Sequence, residues 1–173
     1  MKSYNLYKSI TLVIALLSLA LGATVSMAAS TRISGHFEQA YVKQEVLPVP
    51  QAQGHMIMLT QANGTNKDTN GTGFMDGAQV VIQEIADLNQ GNGPHSGYVI
   101  QTMSNGDEVV VKINGRISTT LTAEGQPNTS FSGYWKFKSG TGQYKNIKGS
   151  GTYQGHFTSE KEYVVDWNGY YFQ

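Results

Sequence analysis

The chain has no cysteine among its 173 residues. That excludes disulfides as a source of stability, a thiolate nucleophile and a cysteine-ligated zinc. Proline is scarce, with four residues, two of them in Leu47-Pro48-Val49-Pro50. Proline lacks the N–H a ladder needs, so this stretch predicts an extended link. Neither charge is in excess, with 12 basic and 12 acidic residues. Without a basic stripe a nucleic-acid partner has no electrostatic footing, and no basic amphipathic segment offers itself to a membrane surface. No G-x-x-x-x-G-K-[ST] and no G-x-S-x-G pattern occurs, which leaves phosphate cradling and the hydrolase elbow without support. The four histidines, His36, His55, His95 and His156, fall in no H-x-H or H-E-x-x-H pattern, so neither metal nor cofactor is expected. Asp68 to Gly73 has the outline of a calcium loop, but Gln79 stands where the bidentate glutamate belongs.

The chain has one sustained apolar run, Ile10 to Leu21, with Lys2 and Lys8 before it and Ser26-Met27-Ala28 after it. A basic start, an apolar stretch and small residues at a cut site predict a secretory signal peptide over 1–28. The alternative is an uncleaved N-terminal anchor, although a run of about 12 residues falls short of the roughly 20 that cross a bilayer. The expected mature part is one domain over 29–173, secreted or periplasmic, with no stable membrane insertion after cleavage. A domain of this size buries nearly 70% of its unfolded surface, roughly enough for one unassisted core. Three N-x-[ST] sequons, at Asn63, Asn70 and Asn128, matter only in a host that glycosylates exported chains.

Gly, Asn, Ser, Thr and Tyr are plentiful, the balance of a β-protein. The stretch Thr129 to Phe157 is the most regular. Phe131, Gly133, Trp135 and Phe137 recur at every second position, as do Gly149, Gly151, Tyr153, Gly155 and Phe157, and SGTGQYKNIKGS links the two. Further strands are expected over Thr31 to Val46, over His55 to Gln61, and over Glu162 to Phe172, where Tyr163, Val165 and Trp167 share a parity. Ala62 to Gly73 reads as a polar loop. Asp76 to Asp87 reads as a strand around Val80-Val81-Ile82, with a short helix on Ala78, Ile82 and Ile85 as the alternative. Asn105-Gly106 is the preferred pair of a two-residue type I′ hairpin. That turn sets Thr102 against Val109, Ile100 against Val111 and Tyr98 against Ile113, with Gln101, Glu108 and Lys112 on the opposite face. The fold class expected is all-β: a single closed antiparallel barrel of about eight strands, with a sandwich of similar strand number as the alternative. Closure removes aggregation-prone edges, and strand glycines mark where curved sheets bend.

The run SGTGQYKNIKGSGTYQGHF, Ser139 to Phe157, resembles the Gly-x-Gly-x-Tyr/Phe … Gly-x-Gly-Thr-Tyr segment of allene oxide cyclase-like and dirigent-like β-barrels. The resemblance implies an exported eight-stranded barrel with a hydrophobic cavity, often a trimer. Enzymatic members act on oxylipins, polyenes or phenoxy radicals. No catalytic carboxylate of that family can be placed on this chain residue by residue, so no activity carries over.

From the residues themselves, Tyr98, Trp135, Phe137, Tyr153 and Trp167 are candidates to line an interior that holds a small hydrophobic or aromatic ligand. An eight-stranded barrel either holds one small ligand or fills with its own side chains. Glu84, amid Val80, Val81, Ile82 and Ile85, is a weak catalytic candidate. Pointing inward it becomes a usable general acid or base; pointing outward it is a solvated side chain. Asp166, beside Trp167, has the same two readings. Three functions remain open: ligand binding without turnover, a cyclase or isomerase whose proton is handled by Glu84 or a tyrosine, and a structural or partner-binding exported protein with a packed interior.

Overall fold

A computed structural model describes residues 29–173; residues 1–28, where the signal peptide is expected, lie outside the described residues. Eight antiparallel strands follow one another around a closed barrel: β1 (Thr31–Pro48), β2 (His55–Asp68), β3 (Gln79–Asn89), β4 (Gly93–Thr102), β5 (Glu108–Leu121), β6 (Pro127–Gly140), β7 (Lys148–Phe157) and β8 (Glu162–Phe172). β8 closes on β1 from Thr31 opposite Tyr171 to Ala40 opposite Glu162. Beyond a bulge between Tyr41 and Lys43, β1 runs on to Pro48 beside β2 alone. The stretch Asp76 to Asp87 is strand rather than helix from Gln79 onward, because Val80, Ile82, Ala86 and Leu88 share one buried parity.

The inner wall alternates large rings with glycines, which is how a small barrel fills its taper. Trp135 on β6 lies over Gly151 and Gly169, which face each other across β7 and β8. Trp167 lies over Gly35, and Phe131 over Gly155. A Cβ at any of these glycines would collide with the ring above it. The regular spacing read in Thr129 to Phe157 is therefore a size code: aromatic side chains from one strand occupy the space its neighbours leave.

One end of the barrel is plugged by its own connections. The β2–β3 loop folds in, burying Phe74, Met75 and Ala78, and the β6–β7 link, with a 3₁₀ turn at Gly142–Tyr144, buries Tyr144 and Ile147. Phe74 stacks on Tyr171 with ring centroids 4.4 Å apart and meets Tyr144 edge-on at 6.2 Å. Asn66, fully buried on β2, clamps this plug: its Nδ2 donates to the Met75 carbonyl at 2.7 Å and its Oδ1 accepts from Trp167 Nε1 at 3.1 Å. At the opposite end no loop residue among the described residues is buried.

Two expectations are corrected. The polar stretch from Ala62 onward is not a loop: β2 continues to Asp68, its residues pairing with β1 and β3. The β4–β5 hairpin is one residue out of the expected register. Met103 N–H donates to Asp107 O, Gly106 is the turn residue at positive φ (86°), and Asn105 is not among them. A type I′ turn needs positive φ at both central residues. The three-residue loop Ser104-Asn105-Gly106 forms instead, so Gln101 opposes Val109 and Val99 opposes Val111. A slip of one residue turns every side chain of a strand over. Val99 and Gln101 face inward, and Tyr98 faces out, 44% exposed, with the Lys112 ammonium 4.5 Å from its ring centroid.

Candidate functional site

The barrel encloses an apolar cavity of about 60 Å³, measured as the space open to the centre of a water-sized sphere. Phe37, Ile82, Val111, Phe137, Val165 and Trp167 supply much of its wall, and Met75 of the plug contributes to it. Trp135 spends its indole N–H on the carbonyls of Thr152 and Asn168, both at 3.2 Å, leaving its ring as an apolar surface.

Into this wall is set a hydrogen-bonded chain of ionisable side chains. Glu84 on β3 lies on the same inward parity as Ile82 and Ala86, with its side chain 11% exposed. Its Oε2 is 2.9 Å from His95 Nδ1, and His95 Nε2 is 3.0 Å from the Tyr153 hydroxyl. Three strands, β3, β4 and β7, each contribute one member. An ionised carboxylate only accepts, so His95 donates at Nδ1; the neutral ring then accepts at Nε2, and Tyr153 is the donor. Gly115 and Gly133 make room for the last link, because a Cβ at either would meet the Tyr153 hydroxyl. Burial first, and the Glu84 charge second, push the phenols of Tyr41, Tyr153 and Tyr163 well above their ordinary value. All three are held neutral in the fold, and Tyr153 spends its hydroxyl on His95.

Trp135, Phe137, Tyr153 and Trp167 line the cavity, as does Glu84. Tyr98 does not, because the hairpin register turns it outward. Asp166 lies on the outer face, where its Oδ1 is 2.7 Å from His36 Nδ1; the inward reading of this residue fails by strand parity. Sequence reasoning missed His95 and Gln101. Both follow from parity on β4 once the turn is known to hold three residues; the two-residue turn puts Gln101 on the opposite face, and His95 precedes the strand that turn predicts. Among the described residues no three His, Asp or Glu side chains cluster as metal ligands would.

No protein-family model and no curated protein sequence matches this chain. Among solved structures, a protein of unknown function from Clostridium acetobutylicum superimposes with a TM-score of 0.53 at 8% identity, over 84% of this chain and 99% of that one. The likeness is one of fold. A pterocarpan synthase dirigent protein aligns with a TM-score of 0.45 at 15% identity, over 86% of this chain and 87% of that one.

Proposed function

We propose that this protein is an exported receptor for a small, largely apolar molecule, held inside the barrel with a polar group against Tyr153. The observation that carries the reading is an aromatic-walled cavity in which the Glu84–His95–Tyr153 chain ends on a cavity-lining hydroxyl. Apolar enclosure with a few placed polar groups is the usual make-up of a small-molecule site. The resemblance of Ser139 to Phe157 to allene oxide cyclase-like and dirigent-like barrels agrees with it. A cavity of about 60 Å³ suits an unbranched chain or a single ring better than a fused polycycle.

The chain has only two tryptophans, and both line the cavity, so their emission reports occupancy directly. Titration with alkyl-chain and single-ring probes is expected to give a saturable change in tryptophan fluorescence. Native mass spectrometry of protein purified from its own host is expected to show a retained small molecule. If no probe gives saturation and no molecule is retained, the receptor reading fails.

A second reading, an acid–base isomerase or cyclase, is favoured by the Glu84–His95–Tyr153 chain alone. Tyr153 would take a proton from the bound molecule while passing its own to His95 Nε2, and Glu84 would stabilise the imidazolium. Reversal at another atom of the same molecule returns the proton and completes an isomerisation. Burial and the Glu84 charge disfavour a free phenolate, which favours moving the two protons together. Incubation of a retained molecule in D₂O separates the readings: deuterium incorporated at carbon by the wild type, and lost in Tyr153→Phe, indicates turnover, and none indicates a receptor.

A further inference from the structure

Gln101 sits at the deep end of the cavity, on β4 just before the β4–β5 turn, opposite Val80 and Val109. It lines the cavity and is 4% exposed, yet its Oε1 has no hydrogen-bond partner among the described residues. Buried side-chain acceptors are nearly always satisfied, and one left open within an apolar wall calls for a partner. The neighbours available on the wall, Val80, Val99 and Val109, cannot supply one. The Met75 carbonyl of the plug is itself an acceptor, taking the Asn66 Nδ2–H, so it offers no donor either.

His95 and Gln101 share one strand and one face, about 20 Å apart along the strand at roughly 3.3 Å per residue. At the usual tilt of barrel strands, about 35–45°, this is roughly 15 Å along the axis. The cavity is thus polar at two heights and apolar between them. One height carries the Glu84–His95–Tyr153 chain, nearer the unplugged end, and the other carries a lone amide at the bottom.

We propose that Gln101 is a specificity-determining residue: it selects molecules whose leading end carries a hydroxyl, which donates to the orphan Oε1. A hydroxyl suits this position better than an ether or a bare methyl, because only the hydroxyl offers the missing donor. An amide can also present its NH₂, and a hydroxyl can accept from that group without losing its own donor. This inference rests on the receptor reading and specifies what the cavity receives: a slender apolar molecule that enters hydroxyl first.

The test is a matched pair of probes, octan-1-ol and 1-methoxyheptane, of equal heavy-atom count and differing in the donor. Binding of each to the wild type, to Gln101→Leu and to Gln101→Met is measured by isothermal titration calorimetry. The wild type is expected to prefer the alcohol by about tenfold, the worth of one neutral hydrogen bond made in place of one left unmade. Both variants are expected to bind the two probes equally, with the ether gaining. Equal binding of both probes to the wild type, or a preference that survives in both variants, overturns the role of Gln101 and leaves the receptor reading standing. Failure of the wild type to bind either probe overturns both. Equal binding by the wild type overturns the role of Gln101 whether or not the variants fold; a wild-type preference is assigned to Gln101 rather than to the Tyr153 hydroxyl by its loss in whichever variant folds.

Discussion

An alanine at Gly115 would place a methyl group against the Tyr153 hydroxyl, His95 Nε2 and the Ser132 carbonyl at once. Nothing there can yield cheaply, because Tyr153 is bonded to His95 and the carbonyl belongs to the neighbouring strand. Gly115→Ala is expected to break the Tyr153–His95 hydrogen bond and to cost about 1–3 kcal/mol, the usual penalty of overpacking. Imidazole ¹⁵N shifts of His95 and a urea titration measure the two effects; an unchanged His95 signal would show the glycine to be dispensable. Gln39 calls for the opposite outcome. It is buried on the inner face of β1, and among the described residues neither its Oε1 nor its Nε2 has a partner. Unlike Gln101 it does not line the cavity, so a ligand does not explain it. Gln39→Met keeps the length and removes the unmet polar atoms. It is expected to raise stability by about 1–2 kcal/mol, read as a higher urea midpoint.

Among the elements, the β2–β3 loop has a structural task that its composition conceals. Asp68 organises it: burial opposes ionisation, but the N–H groups of Asn70, Gly73 and Thr72 outweigh burial and hold the carboxyl below its usual range. The loop then delivers Phe74 and Met75 to the barrel end, with Met75 in left-handed backbone (φ 55°). Besides these local bonds, Asn66 anchors the loop to the barrel through the Met75 carbonyl and Trp167. Asn66→Ala would strand the Trp167 N–H and the Met75 carbonyl in the interior. It is expected to cost about 2–4 kcal/mol, and amide exchange over residues 69–78 is expected to accelerate. Unchanged exchange there would mean that the aromatic contacts of Phe74 suffice to seat the plug.

At the scale of the whole molecule, stability is tied to the phenols inside the barrel. Below their ordinary value of 10.0, folded and unfolded chains both carry neutral phenols, and full stability is present. Above it the unfolded chain ionises, while Tyr41, Tyr153 and Tyr163 are held protonated in the fold. Stability is therefore lost as pH rises, by up to about 1.4 kcal/mol per pH unit for each phenol. Urea midpoints at about pH 8 and about pH 11 are expected to fall steeply in the wild type and less steeply in Tyr163→Phe. Equal slopes would show that Tyr163 ionises as freely in the barrel as in the unfolded chain. Closure gives the same interior its integrity, since β1 is paired to β8 over the strand length that carries Phe37 and Gln39.

Much of the barrel is written locally. Period-two alternation on β6, β7 and β8 marks the inward faces, and inward glycines beside inward rings specify how that interior is filled, because side-chain size is a property of the residue and parity a property of the strand. The sequence leaves Glu84 open to an inward and an outward reading, and the buried parity it shares with Val80 and Ile82 turns it in. The tertiary structure alone decided the rest. Whether Asn105-Gly106 forms a two- or a three-residue loop depends on a single backbone angle that both flanking strands must accept. That choice carried His95 and Gln101 to the interior and Tyr98 to the surface. The Glu84–His95–Tyr153 chain joins three strands, and the plug joins two distant loops. Contacts of that kind exist only after the sheet has closed, when ring closure fixes which residues of separate strands stand at the same height.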